Sequence, residues 1–283
     1  MTVIDAIILH LGLQLGAVLL GWRLARSVSD RVRPALLLAA MALLALAIGA
    51  TTGPWLLRLC PIRDLALVGN QVPLAAGLLG GMALATPRLA LWRRRLVLGL
   101  MLVVADVTSL APLTLPVPQT LDLWQDGTCV QTTDATCAPA AAATLLRLHG
   151  IHATEGELAA WCLTTSKGTT RWGLWRGLRA LTDGSEWTVQ AEEGPVETVL
   201  GRGPAIISVM LTKDLDRRDV RYRTKWGWLV DQPHAVIYLG PSPRPGYVLM
   251  SDPKTGNEVW EEEGLRALWN GQVFRLVRRP GAP

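Results

Sequence analysis

The chain has 283 residues, half of them hydrophobic and 18% charged, with a formal net charge of +5. That length accommodates a small helical membrane bundle plus one globular domain of ordinary size. Up to Val117 there are 10 Arg, no Lys and 4 acidic residues, whereas the remainder is slightly acidic. Arginines confined to short links between apolar runs report membrane topology, not a basic face for nucleic acid, so a nucleic-acid partner is excluded.

Four apolar runs near the roughly 20 residues that cross a bilayer lie at 3–22, 35–52, 65–86 and 96–115. Asn70, Gln71 and Pro73 interrupt the third, which leaves a three-span reading open. The first link carries Arg23, Arg26, Arg31 and Arg33, and the third carries Arg88, Arg93, Arg94 and Arg95. The second has only Arg58 and Arg63, with Asp64 offsetting one. The positive-inside rule then places the first and third links in the cytoplasm and both ends of the anchor outside. No Lys or Arg precedes the first run, which argues against a cleaved signal peptide. Trp22, Trp55 and Trp92 fall near span ends, as interfacial anchors do. His10 and Asp106 fall at similar depth. The expense of an ionisable group in lipid predicts either that they face each other or that both face backbone and water near the outer interface. Gly77-x-x-x-Gly81 is a candidate close-packing face.

Leu115-Pro-Val-Pro118 reads as a stiff connector, dividing the chain into an anchor, 1–118, and a second domain, 119–283, that holds nine tryptophans. A first helix is expected from Cys137, with Pro139 in its first turn and Gly150 as its stop. Thr154-Glu-Gly-Glu157 is a capping box for a second helix ending near Cys162, and Trp172–Leu181 reads as a third. Strand-like runs follow at Ala205–Met210, His234–Leu239 and Tyr247–Met250, the last two separated by Pro-Ser-Pro-Arg-Pro-Gly. Helices first and an antiparallel sheet after is α+β order, here behind an all-α transmembrane bundle of about four helices.

The chemistry concentrates in a few residues. Cys137 stands at a helix N-terminus, where the dipole favours thiolate. His234 opens a strand and Asp252 closes the next. Thiol, base and orienting carboxylate in that order are the parts of a papain-like cysteine peptidase. Gln131, six residues before the thiol, is placed to donate its amide to a developing oxyanion together with the backbone N–H of Cys137. With no Cys-x-x-Cys pair among the four cysteines and the four histidines scattered, no metal and no cofactor is expected.

The segments Gln131-TTDAT-Cys137-APAAAATLLRLHG, GPAIISVM, His234-AVIYLG and YVLMS-Asp252-PKTG, with a following Trp-Asn-Gly, resemble the double-glycine leader peptidase family. These are papain-like domains that process bacteriocin precursors and are often fused to ABC transporters. The resemblance spans about residues 125–280 and implies Cys137 as nucleophile, His234 as base, Asp252 as orienter and Gln131 as oxyanion donor. Two departures stand out. Ala138 replaces the Gly that usually follows the nucleophile, and no nucleotide-binding motif follows the domain.

The expected activity is that of a membrane-anchored cysteine peptidase acting on an exported peptide or membrane protein. The expected location is the bacterial inner membrane, multi-pass, with the peptidase domain on the extracytoplasmic side. The partners are then the peptide or protein substrate, the lipid bilayer and a membrane transport or secretion complex. A catalytically silent peptide-binding module and a thiol acyl transferase or transpeptidase are the alternatives, because cleavage and transfer share an acyl-enzyme. An oxidising compartment would allow a Cys129–Cys162 disulfide, with Cys60 as a competing partner. Residues 211–233 form either a lid whose Arg221, Arg223, Trp226 and Trp228 touch substrate, or a solvated hairpin with its tryptophans packed down. His149 and His152, a helix length from Cys137, read as structural.

Overall fold

The structure, a computed structural model, describes residues 3–29, 31–32, 35, 38–39, 41–42, 72–87 and 90–281. It falls into two compact units, Met1–Leu115 and Pro116–Pro283.

In the first unit, helix α1 (Val3–Ser27) packs on α2 (Val72–Leu84), which also packs on α3 (Leu91–Thr114). Glycines set the spacing. A Cβ on Gly81 would strike the backbone of Val18 and Trp22, one on Gly77 the Gln14 carbonyl, and one on Gly21 the backbone of Leu78. The Gly77-x-x-x-Gly81 face is therefore where α2 lies against α1, backbone to backbone. His10 of α1, 4% exposed, is hydrogen-bonded through Nε2 to Asp106 Oδ1 of α3 at 3.3 Å, so the two ionisable groups do face each other. The outward faces are apolar: Ile4, Ile8, Leu15, Leu100 and Val107 are all exposed.

The four-helix bundle is not what the described residues show. Among them, one helix, over Ile7–Ser27, is long and apolar enough to cross a membrane. The helix in the third expected span has 13 residues, short of the roughly 20 that a bilayer requires. The helix in the fourth has 24 residues, and its beginning carries Arg93, Arg94 and Arg95. Most of the second span lies outside the described residues, as do Trp55, Cys60, Arg58 and Arg63.

The second unit is mixed helix and sheet. A hairpin, β1 (Leu123–Gln125) and β2 (Thr128–Val130), leads into α4 (Cys137–Leu148), α5 (Glu155–Trp161) and α6 (Arg171–Leu181). Thr154 Oγ1 accepts from Glu157 N at 3.0 Å and Thr170 Oγ1 from Gly173 N at 3.0 Å, so side-chain caps start α5 and α6. Then come β3 (Trp187–Glu193), β4 (Ala205–Met210), the short helices α7 (Lys213–Arg218) and α8 (Arg221–Thr224), β5 (Pro233–Pro241), β6 (Tyr247–Asp252), β7 (Gly256–Glu261), α9 (Glu262–Leu268) and β8 (Trp269–Arg278). The six-stranded sheet has the order β3-β8-β4-β5-β6-β7, with every pair antiparallel.

Alternation along the strands makes two cores. Ala205, Ile207 and Val209 of β4 join Val236 and Tyr238 of β5 and Val248 and Met250 of β6, under Trp228, Leu265 and Leu268. The nearly all-buried helix α4, whose run Ala140–Ala143 brings its backbone close, packs on β5, β4 and β2. Strands β3, β7 and β8 went unread in the sequence. WTVQAEE and GNEVWE mix charged with apolar residues because β3 and β7 are the sheet's edges.

The Cys129–Cys162 disulfide does not form. Both are free and buried, Cys129 in β2 with its N–H on Thr144 Oγ1 of α4, and Cys162 at the end of α5 with its sulfur over Gly177 of α6. They thus pack against different elements, and burial pushes both thiols up to about 12.

The glycine contacts yield a first prediction. Gly81→Ala should destabilise the full chain in detergent by about 1–3 kcal/mol, since backbone cannot give way as a side-chain tip can. Gly99→Ala, where an added Cβ meets nothing within 4 Å, should be neutral or slightly stabilising in the same thermal unfolding measurement.

Candidate active site

The segment before α4 is tied down on both sides. Gln131 N–H donates to the Pro253 carbonyl at 2.8 Å, and buried Glu155 accepts from the N–H and hydroxyl of Thr132 at 2.8 and 2.6 Å. Thr133 and Thr136 then close a turn on each other: Thr133 N–H donates to Thr136 Oγ1 at 3.0 Å, and Thr136 Oγ1 to the Thr133 carbonyl at 3.0 Å. The thiol follows immediately as the first residue of α4, and Pro139 falls where a helix needs no N–H donor.

Sheet register supplies the partners. Strands β5 and β6 are antiparallel neighbours with Ile237 opposite Ser251, so the start of one and the end of the other share one end of the sheet. His234 and Asp252 meet there. His234 Nε2 lies 2.7 Å from Asp252 Oδ1, which leaves Nδ1 for Cys137, its neighbour in the same cleft. Asp252, 1% exposed, also accepts from Trp228 Nε1 at 3.2 Å and from the Lys254 N–H at 2.8 Å. Three donors satisfy a buried carboxylate and fix which way it faces.

Electrostatics follow from that geometry. Burial resists the Cys137 thiolate. The hydrogen bond and charge of His234 outweigh it, with help from the backbone N–H groups of Ala235 and Ala138, and the pKa falls below its ordinary 9.0. Burial likewise resists a charged His234, but the charge and hydrogen bond of Asp252, then those of Cys137, lift the ring to about 10. Both shifts run toward a thiolate–imidazolium pair, and the two groups titrate as one unit.

Gln131 lies beside the thiol, lining with it, His234 and Lys254 a pit of about 30 Å³. Its Nε2 donates to the Thr133 carbonyl at 2.9 Å, and its Oε1 is buried without a hydrogen-bond partner. An amide carries two N–H groups, so one remains beyond the Thr133 bond. On the other side of Cys137 and His234 opens a cleft of about 610 Å³, reaching Arg171 and Leu174 of α6, Ile206 and Ser208 of β4, and Phe274 of β8. That volume is ordinary for a ligand site. Ala138, where the resemblance would put Gly, also lines this cleft.

Residues 211–233 form neither a free lid nor a simple hairpin. They fold into α7 and α8, and the ends are joined by the Asp231 N–H on the Leu211 carbonyl at 2.8 Å. Arg221 pairs with Asp219, and Arg223 with Asp216. Trp228 is packed down, its ring 5.1 Å from that of His234. Lys254, unread in the sequence, holds this loop: its Nζ donates to the Gly227 carbonyl and to Asp134 Oδ1, both at 2.7 Å. Gly227 has φ +69°, a conformation that excludes most other residues. A buried indole N–H needs an acceptor, and that was the one signal that Trp228 belongs with Asp252. His149 is structural, with Nδ1 2.8 Å from the Leu145 carbonyl and its ring edge-on to Trp187.

Against solved structures, the chain is similar to the peptidase domain of Streptococcus ComA, a bi-functional ABC transporter involved in a quorum sensing pathway. That match has 16% identity and a TM-score of 0.41, covering 53% of this chain and 96% of that one. A double glycine motif protease from an AMS/PCAT transporter, in complex with the leader peptide, matches at 14% identity and a TM-score of 0.41, over 58% of this chain and 98% of that one. The peptidase domain of Streptococcus mutans ComA matches at 17% identity and a TM-score of 0.36, over 53% and 98%. No family model and no curated protein matches the chain. At these identities and TM-scores the chemistry of this chain rests on its own side-chain geometry.

The ion pair predicts a pH profile. The thiolate persists above its depressed pKa and the imidazolium below about 10, so the pair is populated between those limits. The rate of Cys137 alkylation by iodoacetamide, followed by mass spectrometry of its peptide, should reach half-maximum below pH 9.0. His234→Ala should move that midpoint upward, because only the backbone N–H groups of Ala235 and Ala138 then oppose burial of the thiolate. An unmoved midpoint would mean that no such pair exists.

Proposed function

We propose that this chain is a membrane-anchored cysteine peptidase that cleaves a peptide bond in an exported peptide or membrane protein. The observation that carries the reading is the His234–Asp252 hydrogen bond with Cys137 beside the imidazole at the edge of an open cleft. In the reaction the Cys137 thiolate adds to the scissile carbonyl carbon. His234 gives its proton to the departing amine, leaving an acyl-enzyme and a neutral imidazole. His234 then takes a proton from water, whose hydroxide displaces the thiolate and releases the carboxylate product. Asp252 holds the ring and stabilises the imidazolium. The second N–H of the Gln131 amide and the backbone N–H of Cys137 are assigned to the oxyanion.

The apolar helix α1 and the outward apolar faces of the first unit support a membrane anchor. Arginine placement supports an extracytoplasmic domain, and that side favours an exported substrate over cytoplasmic leader processing. The papain-like assignment of residues 119–283 and the anchoring role of 1–118 belong to this proposal.

The test is digestion of a peptide library by the full chain in detergent, read by mass spectrometry. Wild type should produce a defined set of new termini, and Cys137→Ala should lower their rate by about 10³-fold or more. Identical product sets from both proteins would refute a Cys137 peptidase. For the oxyanion role, Gln131→Ala should lower kcat by about 10²-fold while leaving the alkylation midpoint of Cys137 in place. A shifted midpoint with unchanged kcat would assign Gln131 to positioning the thiol instead.

A further inference from the structure

Trp228 is shared. Besides touching His234 and Asp252, it lines a second pocket, of about 470 Å³, whose other aromatic walls are Tyr222, Trp226 and Trp260. Ring centroids lie 5.1 Å apart for Tyr222–Trp226, 5.7 Å for Tyr222–Trp228 and 5.6 Å for Trp228–Trp260. The corresponding interplanar angles are 56°, 47° and 52°. The rings are thus tilted to one another and not stacked in parallel, with the buried Trp228 packed against His234, Tyr222 and Trp260.

Three carboxylates border the box: Asp219, Glu258 and Glu261. Asp219 is neutralised by Arg221, which it holds through Nε at 2.8 Å and Nη2 at 2.6 Å. The other two are not neutralised. Glu258 accepts the Trp260 indole N–H at 2.5 Å and Glu261 the Tyr247 hydroxyl at 3.2 Å, both neutral donors. Neither makes an ion pair among the described residues. Arg221 also lines the pocket but is held by Asp219, so the lining carries two more carboxylates than cations, and carboxylates beside aromatic rings favour a cation by both charge and quadrupole. Lys225 Nζ, outside the pocket lining, already lies 5.5 Å from the Trp226 ring centroid.

We propose that this pocket binds the basic side chain of a peptide, a lysine ammonium or an arginine guanidinium. A cation bearing N–H groups can donate to Glu258 and Glu261, whereas a quaternary ammonium cannot. The source of the side chain, a peptide, rests on the peptidase reading above; the cation preference rests on the pocket alone.

The experiment is isothermal titration calorimetry on the full Cys137→Ala chain in uncharged detergent. The probes are Nα-acetyl-arginine amide, Nα-acetyl-lysine amide, Nα-acetyl-norleucine amide and tetramethylammonium. The basic amides should bind saturably, more weakly as salt rises, and the norleucine amide should not bind. The near-isosteric pair Glu258→Gln with Glu261→Gln should weaken binding about tenfold with unchanged thermal unfolding, and Trp260→Ala should abolish it. Equal binding of norleucine amide, unchanged affinity in the glutamine variant, or tetramethylammonium binding without the amides would each overturn the proposal. The Cys137→Ala background cannot cleave, so failure of binding here and failure of cleavage by wild type are read separately.

Discussion

Asp252 is a carboxylate with almost no contact with water, and a charge in that position survives only if the protein satisfies it. It accepts from His234, from the indole of Trp228 and from the backbone of Lys254. The rest of the site follows from that requirement. The imidazole is held with one nitrogen on the carboxylate and the other free toward the thiol, and the carboxylate's charge favours the protonated ring, which in turn favours the thiolate. Removing the carboxylate would take away both that charge and the hydrogen bond that orients the ring.

The elements that meet at Asp252 come from distant parts of the chain and are fastened to one another. Lys254 joins the loop after α8 to the turn before α4, through Gly227 and Asp134. Thr128 of β2 shares a 2.6 Å hydrogen bond with Ser251, beside Asp252, and Gln131 N–H is bound to Pro253. Cys137, His234 and Asp252 are therefore positioned largely by backbone and buried polar contacts, with the partly exposed Lys254–Asp134 pair added at the surface. Trp228 extends the network outward, since its ring also forms a wall of the aromatic pocket.

In the first unit the outward faces are apolar, and the interior contains glycine contacts and a His10–Asp106 hydrogen bond. Small residues between α1 and α2 permit close backbone approach.

Local signals in the chain determined a good deal. Apolar runs, capping residues and Gly/Pro stops placed the helices at Cys137, Glu155 and Arg171 to within about a residue, because those signals act through neighbouring backbone. The runs AIISVM and HAVIYL were legible as strands because β4 and β5 are central and buried, while the edge strands β3 and β7, half in solvent, mix polar with apolar residues and lack a continuous apolar run. Cys137, His234, Asp252 and Gln131 were nameable from residue type and order on those elements. What tertiary structure alone decided is how they are joined: the orientation of the His234 ring, the hydrogen-bond partners of Gln131, the indole donor on Asp252 and the lysine clamp. It also decided that Cys129 and Cys162 stay apart, and that Trp226, Trp228, Trp260 and Tyr222 gather into one box. Each of these depends on residues brought together across tens of positions by strand register and helix packing, and no local pattern encodes such an encounter.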